Sequence, residues 1–78
     1  MTTVLKQYNN GGKYVYLESY IKWERTVLEV GICDIVGEMY MNPYKEITYS
    51  YNNKKNALAT YYRYVREAKA EIAEREIV

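Results

Sequence analysis

The chain has 78 residues, of which 49% are hydrophobic and 27% charged, and its 11 tyrosines stand beside no phenylalanine and no histidine. Its net charge is +1. These values predict a single globular domain over residues 1–78 and exclude a disordered chain. One cysteine excludes an internal disulfide, and without histidine it also excludes the usual structural zinc sets. Because so small a domain is marginally stable alone, we expect a homodimer.

Hydropathy, cysteine content and net charge also bear on the location and the partners of the protein. No apolar run of about 18 residues and no signal-peptide pattern occur, so we expect a soluble protein without a membrane partner. The lone Cys33 suits a reducing compartment, which favours the cytoplasm. Near-neutral charge gives no long-range attraction to nucleic acid.

The first third of the chain has the pattern of a β-hairpin. Asn10-Gly11 favours a type I′ turn between a strand at 3–8 and a second strand at 13–22. The second strand alternates between two faces, since successive side chains point to opposite sides. One face carries Val15, Leu17, Ser19, Ile21 and Trp23, and the other carries Tyr14, Tyr16, Glu18, Tyr20 and Lys22. This parity places Trp23 in the core with Ile21.

The middle of the chain predicts two further strands. A turn near Glu24-Arg25 precedes a strand at 26–34, whose aliphatic face carries Leu28, Val30 and Ile32. Gly37 and Asn42-Pro43 are turn or bulge markers. They precede a last strand at 44–50, for which a start as early as residue 38 stays open.

Residues 53–75 have the pattern of a helix, because Ala, Glu, Lys and Arg dominate and neither Gly nor Pro interrupts them. Its apolar stripe consists of Leu58, Tyr61, Val65, Ala68 and Ile72, and Tyr62 and Tyr64 flank that stripe. The predicted fold class is therefore α+β, a small antiparallel β-meander of three or four strands with one long C-terminal helix packed on one face.

One helix leaves one face of the predicted sheet open, and that face carries rings where polar residues are normal. The predicted partner-binding residues are Tyr14, Tyr16 and Tyr20, with Val27 and Tyr44 as neighbours. Tyrosine offers a large contact area at low entropic cost and is enriched at interfaces. The alternative is that cross-strand tyrosine pairs only stabilise the sheet.

The residue types of common catalytic sites are missing or scattered. No imidazole is available to activate Ser19, Ser50 or Cys33, and Gly11-Gly12 is not followed by a phosphate-loop pattern. We therefore expect no enzyme, no catalytic residues, no cofactor and no metal.

Three or four strands followed by a helix is similar in order to AP2-type domains and to the arm-binding domains of tyrosine integrases. Those domains read DNA with the sheet, so the similarity implies nucleic-acid binding as the alternative function. Against it, residues 1–52 carry five basic and six acidic side chains, a net charge of −1, whereas phosphate contacts need a basic surface.

The sequence thus predicts a non-catalytic protein-interaction module that acts through a tyrosine-rich sheet face. It would act by homodimerisation or by binding another protein, in one version as its inhibitor. Small accessory proteins of phages and mobile elements share this size and lack of catalytic residues, which suggests such an origin.

Overall fold

The computed structural model describes the backbone of residues 1–77 and the side chains of residues 1–71. It confirms an α+β fold in which an antiparallel sheet is followed by one C-terminal helix. The strands are β1 (Thr3–Asn9), β2 (Lys13–Lys22), β3 (Arg25–Val36), β4 (Met39–Tyr40) and β5 (Lys45–Ser50), and a 3-10 turn (Tyr51–Asn53) leads into the helix α1 (Lys54–Ile77).

The two central strands organise the sheet. β2 pairs with β1 on one side and with β3 on the other, and both pairings are antiparallel. The far side of β3 pairs with β5 and, nearer its end, with the two-residue β4. β3 therefore runs two residues beyond its predicted end at 34, because β4 gives those residues a partner.

The core lies between α1 and one face of the sheet, as the alternation in β2 predicted. The five fully buried sheet side chains are Val15, Leu17, Leu28, Val30 and Ile32. From the helix, Ala57, Tyr61, Val65 and Ala68 pack against them, and Leu58 lies partly buried beside them. Ile72, the last residue of the predicted stripe, has its side chain outside the described residues.

The position of Tyr64 differs from the one that the helical wheel predicted. It was placed at the flank of the apolar stripe, yet it is as buried as the stripe residues and belongs to the core. Tyr62, its counterpart on the other flank, is exposed. The core is wider on the Tyr64 side because β5 lies there: its residue Lys45 reaches over the Tyr64 ring and pairs with Glu67 at 3.1 Å.

Lys13 joins four parts of the chain and contacts α1 at Glu71. Its ammonium group forms ion pairs with Asp34 of β3 and, at 3.1 Å, with Glu71 of α1, and it stands 4.6 Å from the centre of the Tyr44 ring. Burial opposes the charge of Lys13, but hydrogen bonds to Asp34, Glu71 and Tyr44 outweigh it and hold its pKa above the usual value. Lys13 is only 4% exposed, and a charge so deeply buried is stable only when several partners pair with it.

The β2–β3 hairpin ends differently from the prediction. Trp23 and Ile21 were expected in the core, but Trp23 is 86% and Ile21 72% exposed. The two-residue turn is Trp23-Glu24, one position earlier than predicted, so strand parity ends before Trp23. Ile21 keeps its face, but its partner Thr26 lies beyond the last β3–β5 pair, where the covered part of the sheet ends.

The first hairpin also turns at a different place. A type I′ turn at Asn10-Gly11 needs positive φ at both residues, and only Gly11 has it, at 87°. Asn10 is instead the last paired position: its backbone N–H donates to the Lys13 carbonyl, and its side-chain oxygen accepts from the backbone N–H groups of Gly12 and Lys13. The loop is therefore Gly11-Gly12.

Positive φ at Trp23 (53°) and Glu24 (62°) generates a testable prediction, since side chains there cost roughly 1–2 kcal/mol per residue. Glu24→Gly removes that cost and adds chain entropy to the unfolded state, for an expected net gain of about 0.5–1 kcal/mol. Urea unfolding measures the gain. Glu24→Ala is the matched control, because it removes the same charge but keeps a Cβ. Equal stability of the two variants would contradict strain at this turn.

Candidate functional site

The sheet face opposite α1, called the open face below, is covered by no other element among the described residues. The register of the strands defines it. It consists of Val4, Gln7 and Asn9 from β1, Tyr14, Tyr16, Glu18, Tyr20 and Lys22 from β2, Arg25, Val27, Glu29, Gly31 and Cys33 from β3, and Glu46, Thr48 and Ser50 from β5. Three of the five predicted partner-binding residues, the tyrosines of β2, therefore lie together on it, and Val27 lies beside Tyr20.

Tyr16 lies flat on this face and is only 6% exposed. Its ring crosses to the neighbouring strand and occupies the space above Gly31, where a Cβ would stand 2.3 Å from the ring. The hydroxyl then reaches past Gly31 and donates to a Glu29 carboxylate oxygen at 2.7 Å. Tyr16 is thus a buried floor of the open face, and its partner-binding contact area is small.

Glu29 holds two of the rings in place. Its other carboxylate oxygen accepts a hydrogen bond from the Tyr20 hydroxyl at 3.0 Å. Burial, and then the hydrogen bond and the charge of Glu29, raise the pKa of both Tyr16 and Tyr20 above that of free tyrosine. Tyr20 stays half-buried, so part of its side chain is accessible while its hydroxyl is held by Glu29.

A second aromatic group lies at the other end of the open face. The Tyr14 ring is 5.9 Å from that of Tyr16 and 5.0 Å from that of Tyr40. The Tyr14 hydroxyl donates to Gln7 at 3.0 Å, and the Tyr40 hydroxyl accepts from Asn9 at 2.7 Å. The sequence prediction missed Tyr40, because it belongs to a two-residue strand with no alternation to reveal it.

Tyr44 is not part of the open face. It was predicted as a neighbour of the β2 tyrosines, but its ring lies over Lys13, whose parity places it on the helix side with Val15. The backbone explains the difference: the Tyr44 N–H donates to the Ile32 carbonyl from the loop before β5, so strand parity does not set its direction.

The centre of the open face is negatively charged. Glu18 of β2 stands directly opposite Glu29 of β3, and Glu46 of β5 is paired with Gly31, next to the Tyr16 hydroxyl. Burial, and then the charge of Glu29, raise the pKa of Glu18. All three carboxylates raise the pKa of Tyr16. The ion pairs of the described residues involve Asp34, Glu67 and Glu71 instead, so these three charges have no cationic partner there.

Other features offer less chemistry. Cys33 is a free, buried thiol, and burial is the main reason that its pKa is raised, which disfavours the reactive thiolate. An open depression beside the hairpin end is lined by Arg25, Val27, Thr48, Ser50 and Tyr51 among others.

Within residues 1–71, no group of three potential metal ligands comes together. None of the helical segments described has the length and apolarity needed to cross a membrane.

Comparison with known proteins adds no further assignment. No family model matches the chain, and neither a curated protein nor a solved structure matches it significantly.

The contact between Tyr16 and Gly31 predicts the effect of a single methyl group. Gly31→Ala places a Cβ inside the ring and should cost about 1–3 kcal/mol of stability, as other overpacked sites do. The control is a double-mutant cycle with Tyr16→Ala, in which the same methyl group has open space and should cost less than about 0.5 kcal/mol. Equal costs in both backgrounds, measured by denaturant unfolding, would show that the ring does not lie on Gly31.

The raised pKa of Tyr16 predicts how stability depends on alkaline pH. The folded-state pKa lies above the unfolded value, so the hydroxyl stabilises the fold at all pH values below about 10 and loses that effect as pH rises further. Tyr16→Phe should be less stable below pH 10, and its deficit should shrink by up to about 1.4 kcal/mol per pH unit above it. Unfolding curves for both proteins across this range measure the deficit. A deficit independent of pH would contradict the raised pKa that burial and the Glu29 contact together give Tyr16.

Proposed function

We propose that this chain is a non-catalytic protein-interaction module that binds its partner through the open face. The observation that carries the proposal is an aromatic sheet surface with no covering element among the described residues. Tyr14, Tyr20 and Tyr40 offer ring surface to a partner, and Val27 adds an aliphatic side chain at the hairpin end.

The hydrogen bonds of these rings support recognition more than sheet stability alone. The hydroxyls of Tyr14, Tyr20 and Tyr40 are each held by Gln7, Glu29 or Asn9. Side chains fixed before binding lose little rotamer entropy when a partner arrives, which raises affinity without new contacts. The partner is a second copy of the chain or another protein that the chain binds and, in one version, inhibits.

Nucleic acid is the second candidate, since exposed tyrosine rings stack on unpaired bases. The charges oppose it. Glu18, Glu29 and Glu46 occupy the centre of the face, and the basic residues with the same parity, Lys22 and Arg25, lie at the hairpin end. A phosphate backbone that follows the rings would meet carboxylates first.

A cytoplasmic location and a phage or mobile-element origin remain part of the proposal.

Light scattering over a wide range of concentrations tests the version in which the partner is a second copy. The paired substitution Tyr14→Ser and Tyr20→Ser removes ring surface from the open face but leaves Tyr16 in place. If the chain dimerises through this face, the paired variant should weaken the dimer at least tenfold, as the loss of central interface tyrosines does.

Tyr62→Ser is the control, because Tyr62 is an exposed tyrosine on the helix side. It should leave the dimer unchanged. A dimer that Tyr62→Ser breaks and the paired variant does not would place the interface on the helix and contradict the proposal. A wild-type monomer at all concentrations would contradict self-association and leave a different protein as the partner.

A further inference from the structure

Four tyrosines on the helix side of the molecule are accompanied by cations of the same chain. In each case a lysine or arginine lies within 6 Å of the ring centre. Lys69 is 5.4 Å from Tyr8, Lys13 is 4.6 Å from Tyr44, and Lys6 is 5.6 Å from Tyr62. Two cations flank Tyr64, Lys45 at 5.9 Å and Arg63 at 5.6 Å. These distances are in the range of cation–π attraction.

Two of those cations also meet carboxylates. Lys13 binds Asp34 and Glu71 beside the Tyr44 ring, and Lys45 binds Glu67 beside the Tyr64 ring. The chain therefore repeats one arrangement on its helix side, in which a basic side chain is held between a tyrosine ring and one or more carboxylates.

The rings and carboxylates at the centre of the open face lack such a cation, because the basic residues of this face, Lys22 and Arg25, lie at the hairpin end. Within the described part of the chain, no lysine or arginine stands over Tyr14, Tyr16, Tyr20 or Tyr40, and none forms an ion pair with Glu18, Glu29 or Glu46. The tyrosine hydroxyls satisfy Glu29 with hydrogen bonds but do not neutralise it.

The carboxylates are also placed at a cost to the fold. Like charges directly opposite in a sheet are destabilising, and Glu18 and Glu29 form such a pair. Burial adds to the cost, because a half-buried carboxylate without a cation is poorly solvated. A cation supplied from outside would offset both costs by neutralising the charge.

We propose that the open face binds a lysine- or arginine-bearing segment of another protein, whose basic side chains enter between the tyrosine rings and the carboxylates of Glu18, Glu29 and Glu46. This inference rests on the proposed function and names the partner's chemistry. Arginine fits best, because its planar guanidinium stacks on a ring while donating two hydrogen bonds to a carboxylate.

The same charges argue against the two other occupants. If two copies met through their open faces about a two-fold axis, Glu18, Glu29 and Glu46 of both copies would share one interface, and buried like charges are costly there. A nucleic-acid strand would bring phosphates to the same carboxylates. Only a basic segment has both the charge and the contact chemistry.

Titration with a short oligoarginine peptide, followed by NMR and calorimetry, tests the inference. We expect saturable binding whose shift changes concentrate on the open-face residues of β2, β3 and β5. The variant Glu18→Gln/Glu46→Gln should bind the peptide about tenfold more weakly, since each charge contact contributes a modest share of the affinity. In denaturant unfolding the same variant should be at least as stable as wild type, because it removes like charges that face each other. Glu29 is left unchanged because it holds Tyr16 and Tyr20.

The control variant Glu38→Gln/Glu67→Gln removes the same total charge away from the open face and should change the affinity by less than about twofold. An equal loss in both variants, or shift changes centred elsewhere, would mean general attraction between charges and would overturn the inference. Absence of binding would overturn it too.

Light scattering and an oligothymidine titration separate failure of this inference from failure of the proposed function. A chain that ignores oligoarginine but dimerises through Tyr14 and Tyr20 would keep the proposed function and lose the basic partner. A chain that binds oligothymidine on the open face and ignores oligoarginine would lose both proposals in favour of nucleic acid. A chain that shows none of these interactions would lose the basic partner, and the proposed function would then require a different protein of other chemistry.

Discussion

One helix can cover only one face of this sheet, and that constraint divides the central strands into a covered face and an open face. On the covered face, aliphatic side chains and α1 exclude water together. On the open face the chain must shield the central strands with its own side chains. Tyr16 does so by lying across β3 at Gly31, where the absence of a Cβ leaves room for a ring. A flat ring shields more backbone than an upright one, and Glu29 fixes its free end.

The alternation in β2 made much of this predictable. Because its ten residues form one uninterrupted strand, parity correctly separated Val15 and Leu17 from Tyr14, Tyr16 and Tyr20. Parity does not say how a side chain lies on its face. The flat position of Tyr16 depends on Gly31, which is remote in sequence and becomes its partner only once β2 and β3 pair in this register.

The errors have a common physical origin, since they fall where a regular strand ends. Trp23 follows β2 in sequence but belongs to a turn with positive φ, a conformation for which tryptophan gives no signal. Tyr44 precedes β5 and takes its direction from a loop hydrogen bond. Tyr40 lies in a strand of two residues, too short for a period of two to be recognised. Local sequence patterns describe regular elements, whereas the edges of this face are built from irregular ones.

At several positions the use of tyrosine in place of phenylalanine follows from the contacts of the hydroxyl group. On the open face the hydroxyls of Tyr16 and Tyr20 are the only hydrogen-bond donors recorded for Glu29 among the described side chains, so phenylalanine at both positions would leave a half-buried carboxylate without partners. At the core edge, the Tyr49 hydroxyl joins β5 to Thr60 of α1 at 2.5 Å. Each of these rings fills space as phenylalanine would, and each also satisfies a polar group that packing alone would leave unpaired. The hydroxyls of Tyr16 and Tyr20 both donate to the Glu29 carboxylate, but they do not neutralise its negative charge. That remaining charge favours a cationic partner for this face.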